Sequence, residues 1–185
     1  MLEEKKIKLC FIGNPNVGKS TLINRLLNSN QLQISKHPGT TKKIIEKKLI
    51  WNEKEFVLLD TAGVYRKKNF NFNLLIKATR FSETIILILD STIDKLDKIH
   101  KKLASHTLKV GKGLIIIINK WDLIKNKKNK KKEIEEFFKN SLPQFKKENL
   151  LFISALRDEN FTKIFKYSVE IKKLLKSTMS TSNLN

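Results

Sequence analysis

The sequence predicts an α/β domain of three layers: an open, mostly parallel six-stranded sheet with one antiparallel strand, and helices on both faces. Three observations carry this. Short apolar runs alternate with longer amphipathic stretches, the order that builds a parallel sheet from strand–helix–strand units. Gly113–Asn119 (GLIIIIN) is too apolar for either side of a strand to face water, so the sheet must be covered twice. Finally, Ile44–Trp51 and Glu55–Asp60 are separated only by Asn52-Glu53-Lys54, a spacing that suits a hairpin and therefore one reversed strand. The ligand of such a sheet lies at the carboxyl ends of its strands.

In chain order, Ile7–Ile12 reads as a buried strand and Ser20–Leu27 (STLINRLL) as a helix. Between them, Gly13-Asn14-Pro15-Asn16-Val17-Gly18-Lys19-Ser20 fits G-x-x-x-x-G-K-[ST] at every fixed position. Glycines let the backbone curl so that its N–H groups point inward at phosphate oxygens, and the following helix adds its positive end. In that pattern Lys19 reaches the β- and γ-phosphates and the Ser20 hydroxyl ligates Mg2+. Asn28–Lys43 is polar, with Pro38 and Gly39, and reads as a loop. The second hairpin strand ends in Asp60-Thr61-Ala62-Gly63, a D-x-x-G pattern in which Asp60 holds Mg2+ through water and the Gly63 N–H senses a γ-phosphate.

Further on, Val64–Asn73 lacks periodicity, Leu74–Phe81 looks helical, Ile85–Asp90 is a third buried strand and Ile93–Val110 a lysine-rich amphipathic helix. Gly113–Asn119 delivers Asn119-Lys120-Trp121-Asp122, an N-K-x-D tetrapeptide. The Asp122 carboxylate can accept from both N1–H and the 2-amino group of guanine, which adenine cannot supply, so loss of the match leaves a charge unpaired. Asn119 bonds the base edge and ties loops together, and the Lys120 stem packs over the ring. The charge run Lys125–Lys132 reads as a solvated face leading into a helix near Glu133–Asn140. Leu150–Ile153 is a last short strand before Ser154-Ala155-Leu156, Asn160–Leu175 a final helix, and Lys176–Asn185 a frayed tail.

The 185 residues suffice for one domain with a sizeable core. No apolar run has transmembrane length, and Met1–Lys8 is too charged for a signal peptide, so a cytoplasmic chain without a membrane partner is expected. Cys10 is the single cysteine, which rules out an intrachain disulfide and suggests a buried thiol. His37, His100 and His106 are scattered and read as solvated. The net charge of +20 is the footprint of a nucleic-acid partner, although a genome rich in A and T would also favour lysine over arginine.

The ordered set GNPNVGKS, PGTT, DTAG, NKWD and SAL resembles the translation-factor-related GTPases, P-loop NTPases with a Ras-like G domain, over nearly the whole chain. Within them, DTAGVYRKK (60–68), GKGLIIIINKWDL (111–123) and LLFISAL (150–156) are most similar to the second GTPase domain of the Der (EngA) family of tandem-GTPase ribosome-assembly factors. The resemblance implies that GTP or GDP contacts Gly13 through Thr21, then Asp60, Thr61, Ala62, Gly63 and Val64, then Asn119 through Asp122, with Ser154 and Ala155 abutting the guanine. It implies a slow hydrolase in which Lys19, Thr41 and Gly63 act in catalysis and Ser20, Thr41 and Asp60 hold Mg2+. Asn16 matches the asparagine that helps bind K+ in related GTPases. Val64 stands where many small GTPases have a water-orienting glutamine, so help from K+ or a partner is expected.

By the same resemblance, residues 1–175 form the GTPase domain and 176–185 the start of a truncated KH-like domain, with ribosomal RNA of the large subunit and the remaining domains of a longer parent as partners of a monomer. One departure is Pro38-Gly39-Thr40-Thr41-Lys42-Lys43, which lacks the acidic residue of the family's version. Two other readings remain open: an Era-like or tRNA-modification GTPase domain, and a nucleotide-dependent RNA-binding switch module with negligible turnover.

Overall fold

The computed structural model describes residues 6–28, 37–38, 45–61, 76, 79–92, 98–157 and 161–182. Its strands are β1 (Lys6–Gly13), β2 (His37–Pro38), β3 (Ile45–Trp51), β4 (Lys54–Asp60), β5 (Thr84–Asp90), β6 (Gly113–Asn119) and β7 (Leu150–Phe152), and its helices α1 (Lys19–Asn28), α2 (Lys98–Lys109), α3 (Lys127–Ser141) and α4 (Phe161–Ser182). They form one sheet in the order β2-β3-β4-β1-β5-β6-β7. The six expected strands are present, and the two-residue β2 adds a bridge at the edge. Only β3 runs against the others, as the hairpin spacing predicted. Its turn is Asn52-Glu53, both with positive φ (45° and 61°), the two-residue form whose twist matches that of its strands.

Successive side chains of a strand point to opposite faces, and here both faces are apolar. Ile7, Leu9 and Phe11 of β1 with Ile115 and Ile117 of β6 pack against α1 and α4. Cys10 and Ile12 with Leu114, Ile116 and Ile118 pack against α2 and α3. All seven residues of β6 are buried, which explains its unbroken apolar run. Gly113 lets α4 cross close to the start of that strand, because a Cβ there would lie 2.2 Å from Ile171 Cγ2 and 2.8 Å from Thr84 Oγ1. At this end of the sheet Glu83 accepts from the Lys8 N–H at 2.8 Å and from Lys172 at 2.9 Å, and Lys172 also donates to the Lys6 carbonyl, tying α4 to β1.

Three helices differ from expectation. α3 begins at Lys127, inside the run read as a solvated lead-in, because the Asn126 side chain caps it by accepting from the Asn129 N–H at 3.3 Å. α4 continues through the segment read as a frayed tail, as far as Ser182, since nothing after Leu175 breaks a helix. His100 is not solvated. With Leu103, Ala104 and Thr107 it forms the buried face of α2, while His106 is half-buried. Among the described residues no helix is long and apolar enough to cross a membrane.

Candidate functional site

The carboxyl ends of β1, β4, β5 and β6 deliver Gly13, Asp60, Asp90 and Asn119 to one edge of the sheet. Gly13 has no room for a side chain, since a Cβ would meet the Ile88 carbonyl at 2.7 Å and Val17 Cγ2 at 2.8 Å. The loop then turns through Asn16 (φ 67°) and Gly18 (φ 91°), left-handed conformations that asparagine tolerates and glycine adopts freely. α1 starts at once, with the Leu22 N–H donating to the Gly18 carbonyl at 2.9 Å, so the first N–H groups of the helix have no intrahelical acceptor. Around this concave turn Asn14 and Thr21 are half-buried, Val17 is buried, and Pro15, Asn16 and Ser20 are exposed.

Lys19 and Asp60 are both buried and form an ion pair. Asp60 thus occupies the Lys19 ammonium as a phosphate oxygen would, and Lys19 neutralises Asp60 as a cation would. Thr61 is fully buried and donates its hydroxyl to the Phe11 carbonyl at 2.7 Å, fixing the end of β4 against β1.

The base end centres on Asn119, which is 1% exposed. Its amide donates to the Val17 carbonyl at 2.7 Å and accepts from the Ala155 N–H at 2.9 Å, so one side chain joins the phosphate loop, β6 and the segment after β7. A Cβ on Gly18 would lie 2.2 Å from Asn119 Nδ2, so the second loop glycine serves this amide as well as the turn. Lys120 has a left-handed backbone (φ 61°) and opens the short 3-10 turn Trp121–Leu123 that presents Asp122. The Trp121 N–H donates to the Ile153 carbonyl at 3.0 Å, and its ring lies 4.6 Å from that of Phe152.

Ser154 is buried and among the described residues its hydroxyl closes no hydrogen bond of ordinary geometry, yet it lies beside Asp122. Its proximity leads the influences that hold the Asp122 carboxyl below its ordinary value; Arg157 and Lys127 add to it, and burial opposes. Arg25 of α1 donates to the Leu156 carbonyl at 2.7 Å and closes the edge from the other side.

Sequence reasoning missed Asp90 and Arg25. Asp90 pairs in register with Asn119 across β5 and β6, and its carboxylate meets the Lys120 ammonium at 2.5 Å while accepting from the Thr92 N–H and hydroxyl at 2.9 and 2.7 Å. Burial pulls this carboxyl upward, but those partners outweigh it and leave it below the usual value. An aspartate ending a buried strand was the available signal. Of the predicted site residues, Thr41, Ala62, Gly63 and Val64 lie outside the described residues, and the others converge on this edge.

Residues 8–120 match the family model described as 50S ribosome-binding GTPase. The chain belongs to that family. Membership in these GTPases makes GTP or GDP the ligand and Mg2+ its companion, and the site fits both: glycines leave the loop room for phosphate, and Lys19 and Asp60 already stand together. Among curated relatives of this GTPase chain, GTPase Der of Rickettsia akari is 32% identical over 188 residues, 97% of this chain and 42% of the relative. GTPase Der of Mycoplasma capricolum is 33% identical over 195 residues, 100% of this chain and 44% of the relative. The chain therefore spans less than half the length of these relatives, a share that fits one GTPase domain of a tandem pair. Of solved structures, Aquifex aeolicus Era bound to GDP and aluminium fluoride superposes with a TM-score of 0.66 at 27% identity, covering 93% of this chain and 56% of that one. Era in complex with MgGDPNP and part of 16S ribosomal RNA gives 0.65 at 29% identity, with the same coverage.

Proposed function

We propose that this GTPase domain hydrolyses GTP to GDP and phosphate, and that its nucleotide state controls its association with ribosomal RNA on the large subunit during ribosome biogenesis. The observation that carries the reading is Asn119, whose amide locks the phosphate loop to the base loop so that a single guanine nucleotide can engage both. Water attacks the γ-phosphorus, the bond to the β-phosphate bridging oxygen breaks, and GDP leaves with the electron pair. The reaction asks for position and charge more than for a general base. Lys19 turns from Asp60 to the β- and γ-phosphates, the loop N–H groups and those opening α1 hold phosphate oxygens, and Gly63 donates its N–H to the γ-phosphate. Ser20, Thr41 and Asp60 hold Mg2+, which supplies neutralisation of the phosphate charge. Asp122 reads N1–H and the 2-amino group of guanine, with Ser154 and Ala155 against the base.

In the same reading Asn16 contributes to a K+ site, for which its exposure leaves access, and Val64 makes unaided turnover slow. Residues 1–175 are the GTPase domain and 176–185 lead toward a KH-like domain in a longer parent. The chain acts as a monomer in the cytoplasm, with ribosomal RNA and the other parent domains as partners.

The test is GTP turnover by the purified chain in matched KCl and NaCl, with Asp122→Asn as a control for base choice. Stimulation by KCl, together with loss of GTP preference in the variant, supports a cation-assisted GTPase. Equal rates in both salts, no faster than free GTP, would replace it with a nucleotide-dependent switch module.

A further inference from the structure

Bordering the base end of the nucleotide edge, between α3 and α4, lies an open groove of about 580 Å3 beside β7. β7 is the terminal strand of the sheet and is paired to β6 on one side. Lys127 and Lys131 of α3, Lys147 of the 3-10 turn before β7 and Lys163 of α4 line it, together with the half-buried rings of Phe152 and Tyr167. Two glutamates, Glu135 and Glu148, also line the groove, so its four lysines leave a local charge of +2. Glu135 meets Lys147 at 2.8 Å and Lys131 at 3.9 Å, yet these lysine side chains remain 69% and 55% exposed. The Lys131 ammonium stands 5.5 Å from the Phe152 ring centre, so cation and aromatic surface share one wall.

The fold gains little from this arrangement. α3 opens KKNKKK with no acidic residue in its first turn, placing positive charge at the positive end of the helix dipole. Lysines do discourage strand pairing at an exposed edge, but that role does not call for aromatic surface among them. Nor is the edge suited to a peptide strand: β7 has three residues and could form only a short ladder with one. Lysines around a groove with aromatic surface instead match a flexible polyanion whose bases are free to stack.

We propose that this groove binds single-stranded RNA, the lysines meeting successive phosphates and an unstacked base lying against Phe152 and Tyr167. The inference rests on the RNA-partner reading above and names its surface. Trp121 also lines the groove and directly precedes Asp122, so the RNA would lie next to the base-reading turn.

The test is anisotropy titration of a labelled short oligouridylate with the full chain across a KCl series. Lys127→Ala/Lys163→Ala is compared with Lys101→Ala/Lys109→Ala, a pair of exposed lysines on α2. Each single-strand phosphate contact contributes about 0.7 to the salt slope, so the groove variant should lower the slope by about 1.4 and lose about 25-fold in affinity near 0.1 M salt, with little change in the α2 variant. Glu135→Gln, which releases Lys131 and Lys147, should tighten binding. No RNA binding by the unaltered chain would overturn the RNA-partner reading and the groove with it. Equal losses in the two double variants would overturn the groove alone. Competition by oligoglutamate as effective as that by RNA of equal charge would overturn RNA as the occupant.

Discussion

At the base end of the nucleotide site, Asn119 joins two loops through neutral hydrogen bonds to backbone. At the phosphate end, Lys19 and Asp60 hold one another by charge, and on the proposed reading each gives up its partner when phosphate and Mg2+ arrive. The first arrangement is preorganised, so binding energy there goes into discrimination. The second is an exchange of partners in a buried place, which keeps two charges compensated in the nucleotide-free protein and makes this end the responsive one. The proposed nucleotide-controlled role would use both: a fixed end to hold the nucleotide and a convertible end to sense it.

The sharpest way to break the contrast is Asn119→Ala. It leaves the Val17 carbonyl and the Ala155 N–H without their partner, and the expected loss is about 4 kcal/mol of stability in urea unfolding. Unchanged stability would mean that the base end is not held as described. Next, Lys19→Met should destabilise the nucleotide-free chain by about 3 kcal/mol, because the buried Asp60 carboxylate loses its paired cation. Adding Mg2+ alone should recover part of that loss in a thermal melt, whereas the Asn119 variant should not respond. Asp122→Asn should then cost about 100-fold in affinity for GDP, read by competition titration, with little effect on folding.

The smallest effect is with pH. The Asp90 carboxyl lies below its ordinary value in the folded chain, so its contribution is fully present above about pH 4 and lost as pH falls through the lower native value. Asp90→Asn should flatten that acid limb by under about 1 kcal/mol, because burial of the carboxyl offsets much of what Lys120 and Thr92 contribute. Cys10 offers a reporter of global opening. Burial pushes its thiol up to about 12, so native alkylation should be far slower than in denaturant.

Much of this was legible in the chain because the signals are local. β1 and every strand from β3 to β7 lie where an apolar run or the hairpin spacing placed them, and the phosphate loop announced itself by residue type alone. Less legible were features set by register and capping. His100 shares the inner face of α2 at intervals of three and four with Leu103, Ala104 and Thr107, a pattern hidden by the surrounding lysines. Asn126 looked like part of a polar run, yet its side chain starts α3. Arg25 sits in the last turn of α1, and its partner Leu156 lies 131 residues away.

By itself the sequence determined the layered parallel architecture, the placement of the motifs at strand ends and the class of nucleotide. Strand patterning, turn chemistry and motif spacing act over a few residues and survive in any chain that folds this way. Only the tertiary structure decided that Asn119 reaches Val17 across 102 residues, that Asp60 occupies Lys19 across 41, and that Asp90 holds Lys120. Those pairings depend on which parallel strands become neighbours and in what register, and packing between elements settles that, not local preference within any of them.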